Sequence, residues 1–189
     1  MSFTVIYDAN VLFPAPLRDL LVGVAQSGIV RARWTDQILD ECFRNVLARR
    51  PDLNPSSLQR TRDLMNRAVR DVLVTGYEGL VPGVILPDSG DRHVLAAAVR
   101  AGAQAIVTFN LKDFPDEVLG PLGIEAKHPD EFVLEVINLA PGAVASVVVE
   151  QARRLKNPPM RITDVIDVLA AQGLVQSSAK LRELLATMT

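Results

Sequence analysis

Short apolar runs rich in β-branched residues alternate with helical stretches as far as about residue 128, and then the runs stop. Phe3–Tyr7 (FTVIY) reads as a buried strand, and residues 30–34, 104–109 and 124–126 read as further strands. Helical patterns fill the spaces between. One opens at Pro14 and Pro16 and runs to Gln26, one runs from Thr35 or Asp36 to Arg50, and others cover residues 55–74, 91–101 and 114–119. A connection over residues 76–91 holds one short apolar strand at 84–86. Strands alternating with helices build βαβ units, so an α/β fold with a parallel sheet is expected. After His128-Pro129 only helices follow, at 130–139, 142–155, 162–172 and 178–188. The expected organisation is an α/β unit over 1–128 and an all-helical C-terminal extension over 129–189.

Composition narrows the partners. Cys42 is the single cysteine of 189 residues, so no internal disulfide forms and a reducing, cytoplasmic setting is expected. With His93 and His128 as its only histidines, the chain is poorly equipped for a Cys/His zinc site. No apolar run reaches the roughly 18 residues of a membrane span, and the N-terminus lacks the basic start of a signal peptide. Formal net charge is −2. Between Arg44 and Arg70, however, seven arginines stand against two acids. That local excess is either a solvated helical face or a surface for phosphates. Arg44, Arg49, Arg62, Arg67 and, further on, Lys112 are the candidate contacts.

Four carboxylates sit at the ends of expected elements or amid apolar sequence: Asp8, Glu41, Asp91 and Asp113. Asp8 ends the first strand, where an unpaired buried acid needs a cation, a donor network or solvent. Its plainer role is a turn cap on Ala9 and Asn10. Glu41 lies mid-helix in a polar stripe with Gln37 and Asn45, each one turn away. Asp91 opens a helix, with Asp88 just before it, and Ala96, Ala97 and Ala98 let that helix pack close to a sheet. Asn110 and Asp113 follow the last long strand in TFNLKDF. In an open parallel sheet, the ligand site lies beyond the carboxyl ends of the strands. Acids converging there would hold Mg²⁺ or Mn²⁺ through few protein oxygens. A phosphodiester is the usual substrate of such an ion.

YDANVL (7–12), the mid-helix Glu41 and DRHVLAAAVRAGAQAIVTFNLKDF (91–114) resemble, in this order, the PIN domain, whose nucleases include the VapC-type toxins of bacterial toxin–antitoxin pairs. The resemblance covers roughly residues 1–128. It implies a PIN-like parallel sheet flanked by helices and a ribonuclease dependent on Mg²⁺ or Mn²⁺. Asp8, Glu41, Asp91 and Asp113 match the family's four acids, with Asp8, Asp91 and Asp113 as metal ligands. Asp88, Asn10 and Asn110 are candidate additions to the site. The extension is similar to that of a longer bacterial branch of these toxins. The resemblance also implies RNA as substrate, a small antitoxin protein as partner and a candidate homodimer. Two other functions compete: an RNA- or protein-binding module without turnover, and another metal-dependent phosphohydrolase. Haloacid-dehalogenase-like enzymes place a second Asp two residues after the first, where this chain has Asn10.

Overall fold

The computed structural model describes residues 3–186. At its centre lies a parallel sheet of four strands: β1 (Phe3–Tyr7), β2 (Val30–Arg33), β3 (Ala105–Val107) and β4 (Glu125–Lys127), in the order β2-β1-β3-β4. Register follows the apolar runs, with Phe3 beside Val30, Val5 beside Ala105, and Ala105 beside Glu125. Val5, Ile6, Tyr7, Ile106 and Val107 are fully buried, as strands covered on both faces must be.

Helices cover both faces. α1 (Ala9–Leu12) is a single turn directly after β1, and α2 (Ala15–Gln26) follows with Pro16 in its first turn. α3 (Asp36–Arg49) is capped by Thr35, whose hydroxyl accepts from the Ile38 amide at 3.0 Å. α4 (Pro55–Ala68) starts at the Asn54 cap. α5 (Arg92–Ala101) ends at Gly102, which takes the left-handed conformation (φ 61°) that stops a helix without strain. α6 (Asp116–Leu119) is again one turn.

Two expectations need correction. The helix expected over 55–74 ends at Ala68. Val72 and Val74 alternate inward with strand periodicity, and their backbone pairs with Trp34: the Trp34 amide donates to Val72 O at 3.1 Å, and the Val74 amide donates to Trp34 O at 2.9 Å. Residues 84–86 form no strand. Leu86 is buried and Ile85 exposed, as in a strand, but the segment pairs with neither edge strand of the sheet, β2 or β4. Glu78–Gly83 before them is a 3₁₀ helix containing Pro82.

The extension comprises α7 (Pro129–Leu139), α8 (Pro141–Arg154), α9 (Ile162–Ala171) and α10 (Val175–Ala186). α10 starts three residues before the expected 178, and the expected end at Met188 lies outside the described residues. These helices share the sheet's core. Phe132 of α7 meets Tyr7 of β1 edge-on at 5.9 Å, and Tyr7 stacks on Trp34 at 6.3 Å. Helices α2 and α8 touch where Gly23 faces Val147; a Cβ at Gly23 would lie 2.4 Å from Val147 Cγ1. Burying a ring such as Phe132 stabilises by about 1.5–3 kcal/mol, so the extension is part of what holds β1 in place.

Candidate active site

The carboxyl ends of β1 and β3 lie side by side, and one network ties them. Asp8 caps α1, its Oδ1 accepting from the Ala9 amide at 2.7 Å. Its Oδ2 accepts from Asn10 Nδ2 and from the Thr108 hydroxyl, both at 2.7 Å. Asn10 Nδ2 also donates to Thr108 Oγ1 at 2.9 Å, and Asn10 Oδ1 accepts from the Phe109 amide at 3.0 Å. Asn10 is therefore a brace between the strand ends, with both halves of its amide engaged. Thr108 Oγ1 also accepts from the Asn110 amide at 3.0 Å. Asp8 is 4% exposed, and burial raises its pKa, although the bonds from Thr108 and Ala9 pull the other way and Glu41 adds to the rise. The turn-cap account of Asp8 is thus correct and incomplete.

Asp91 shows the clearest electrostatic signature. It ends a 3₁₀ turn, Ser89–Asp91, and its side chain makes no capping bond to α5. The capping acid is Asp88, which accepts from the Gly90 amide at 2.7 Å. Asp91 is half-buried, and its pKa is pushed up to about 7, first by burial and then by the charges of Asp8, Asp88, Asp113 and Glu41. Asp113 reaches this group from the 3₁₀ turn Leu111–Asp113, and Asn110 opens that turn with an exposed side chain that makes no cap.

Glu41 enters from α3, half-buried, with Oε2 at 3.5 Å from His93 Nε2. His93 is 5% exposed, and its Nδ1 has no hydrogen-bond partner. Gln37, one turn before Glu41, accepts from the Tyr77 hydroxyl at 3.2 Å. The structure thus brings together Asp8, Glu41, Asp91 and Asp113, with Asp88 at the rim. Thr108 and His93 join them without having been singled out from sequence. A threonine closing a strand was the only visible trace of the first. Nothing in the sequence pointed to the second.

This donor set suits a hard divalent cation: carboxylate oxygens, a concentration of negative charge, and one carboxylate held in place by its own donors. Among the described residues no three of these side chains close into a ready ligand cage. An ion such as Mg²⁺ is usually bound through one or two carboxylates and keeps several waters. The site is an open end of the sheet. A 630 Å³ groove lies elsewhere, between α2, α4 and α8, lined by Leu64, Met65 and Val147 and by none of these acids.

The basic candidates divide. Arg62 bridges from α4 to Asp36 at 2.6 Å and to Asp40 of α3, and only 17% of its side chain is exposed. Its charge is already paired within the fold. Arg44, Arg67 and Lys112 are exposed. Arg49 is exposed and lies over the Phe13 ring at 5.0 Å.

Residues 4–112 match the family described as "PIN domain", and residues 129–183 match the one described as "VapC50 C-terminal domain". The chain is 45% identical over 94 residues to "Putative ribonuclease VapC50" of Mycobacterium tuberculosis, across 50% of this chain and 55% of that protein. It thus spans about half the length of the curated relative it matches. No solved structure matches. With more than half of its length in one family match, and that match covering Asp8, Glu41 and Asp91, the chain belongs to the PIN-domain family.

Proposed function

We propose that the protein is a metal-dependent endoribonuclease that hydrolyses RNA phosphodiester bonds, the toxin of a toxin–antitoxin pair restrained by a small antitoxin protein. One observation carries the reading: Asp91 is half-buried among Asp8, Asp88, Asp113 and Glu41, and burial together with their charges holds its pKa up to about 7. Such a cluster costs stability unless something positive is bound there. The printed name of the relative, a ribonuclease, supports the choice of substrate.

On this reading Asp8, Asp91 and Asp113 hold a Mg²⁺ or Mn²⁺ ion. The ion would supply charge neutralisation at the phosphate and a water of lowered pKa. The chain's own residues do the rest. Asn10 and Thr108 fix the Asp8 carboxylate, so that it needs no reorganisation when substrate arrives. Glu41 is not among these ligands, and its carboxylate is available to take a proton from the attacking water. Its Oε2 stands 3.5 Å from His93 Nε2. Asp88 and Asn110 stand at the rim, where they contact substrate or ordered water. Arg44, Arg49, Arg67 and Lys112 draw the RNA backbone to the site. Residues 1–128 form the nuclease unit and 129–189 the extension that packs on it. The work is cytoplasmic, and a homodimer is the candidate assembly.

Cleavage of a labelled structured RNA by purified protein tests this, with Mg²⁺, with Mn²⁺ and with EDTA, beside Asp8→Asn. Cutting that needs metal and is lost in the variant is expected. RNA binding without turnover in any metal would instead favour a binding module.

A further inference from the structure

Glu41, Asn45 and Arg49 occur four residues apart on α3. Residues at that spacing stack on one side of a helix, drifting by about 40° per step. Asn45 and Arg49 are both exposed. The row starts at the carboxylates and ends, about 12 Å along the helix axis, at a guanidinium. There Arg49 lies over Phe13, its Cζ 5.0 Å from the ring centroid. Phe13 is the residue that ends α1, the turn opened by Asp8, so both ends of this pair are tied to the acid cluster.

We propose that Arg49 on Phe13 is a stacking platform for an unpaired base of the RNA, at a nucleotide flanking the scissile bond. The inference rests on the nuclease reading and adds a subsite to it. Single-stranded RNA is held by bases stacked on aromatic rings or on guanidinium planes. Arg49 offers such a plane, with the Phe13 ring beside its Cζ and the residue itself exposed. Among the described residues no carboxylate pairs with it, whereas its neighbour Arg50 is bound to Asp52 at 2.7 Å. A second pair of this kind among the described residues has a different setting. Arg18 lies 5.8 Å over Phe43, but that ring is 8% exposed, and Arg18 Nη1 donates to Leu12 O at 3.0 Å. That pair is part of the packing, while Arg49 on Phe13 faces solvent. A cation in the last turn of α3 also suits the helix dipole. The dipole, however, asks for charge alone, and lysine would serve it as well.

The difference between charge and plane gives the test. Steady-state cleavage of a single-stranded RNA in Mn²⁺ is measured for the parent, Arg49→Ala, Arg49→Lys and Phe13→Leu. A second readout is the fluorescence of 2-aminopurine placed in turn at each position flanking the cut. Arg49→Ala should raise KM roughly tenfold, the value of one lost base stack, and leave kcat within about twofold. Arg49→Lys should lose nearly as much, and the parent should quench 2-aminopurine at one flanking position only. If Phe13→Leu does not fold, the two Arg49 variants carry the test alone. Arg49→Lys matching the parent, or a fall in kcat at constant KM, overturns the platform and leaves the nuclease standing. A folded parent that neither binds nor cuts RNA overturns both.

Discussion

Two aspartates of this protein are almost equally sealed from solvent and are treated in opposite ways. Asp8 is 4% exposed and Asp130 is 5% exposed. Asp130, at the start of α7, has its two oxygens matched to the start of α10: Oδ2 accepts from the Gln176 amide at 2.9 Å and Oδ1 from the Ser177 amide at 2.8 Å. The Ser177 hydroxyl closes the loop by donating to Asp130 O at 2.8 Å. Burial alone would raise the Asp130 pKa, but these bonds outweigh it and hold the carboxyl below its ordinary range. Asp8 also accepts three bonds, yet its pKa is raised, because burial acts together with the repulsion of Glu41. At Asp130 the negative charge is what the fold wants. At Asp8 and Asp91 it is what the fold tolerates. Exposure by itself therefore says little about role; how deep the carboxyl lies and whether its surroundings want the charge say a great deal.

The sharpest separation is expected from removing each charge. Asp8→Asn and Asp91→Asn should cut RNA hydrolysis on the order of 100-fold or more while thermal melting holds or rises. Asp130→Ala should do the reverse. Urea unfolding should show a loss of about 2–4 kcal/mol, from two charge-assisted bonds and a helix cap, with activity per folded molecule retained. A catalytic loss at Asp130 equal to that at Asp8 would erase the comparison.

Acidity provides a second way to break it. Asp91 has an ordinary value of 3.8 and sits at about 7 in the folded chain. Between these two values the folded state holds the proton more tightly than the unfolded one. The Asp91 contribution to stability is therefore greatest below about pH 4 and declines as pH rises to about 7. Asp130 runs the other way, contributing above its unfolded value and losing that contribution as pH falls through its folded one. Melting temperatures across this range, with EDTA and with Mn²⁺, should show the decline without metal and a reduced one with it. In Asp91→Asn the decline should weaken even without metal.

Smaller effects probe the supports. Thr108→Val removes the hydroxyl that serves Asp8, Asn10 and the Asn110 amide at once. A cost of about 1 kcal/mol in stability and roughly tenfold in activity is expected, measured by urea unfolding and by initial rates. Smallest of all, Arg62→Ala should cost under about 1 kcal/mol by the same unfolding assay, since its partners Asp36 and Asp40 are exposed. It should leave RNA affinity within about twofold, in contrast to the exposed Arg67.

The sequence carried those parts of the fold and site whose signal is local. Phe3–Tyr7 is β-branched or aromatic throughout, and the acid after it can lie only at the strand's carboxyl end. The row of alanines behind Asp91 packs as expected, with Ala96, Ala97 and Ala98 fully buried. What stayed hidden depends on distant partners. Thr108 meets Asp8 across 100 positions of chain, and His93 meets Glu41 across some 50. Arg62 has the composition of a phosphate contact, but Asp36 and Asp40 on another helix claim it. The overlong helix at 55–74 failed for a related reason: pairing with Trp34, which no local window contains, decides the state of residues 72–74.

The central claim is that the acids around Asp91 await a divalent cation. Calorimetric titration of Mn²⁺ into the metal-free parent and into Asp91→Asn tests it most directly. The account predicts saturable binding by the parent, weakened at least about tenfold in the variant. No binding by a folded parent, or equal binding by both proteins, would contradict it.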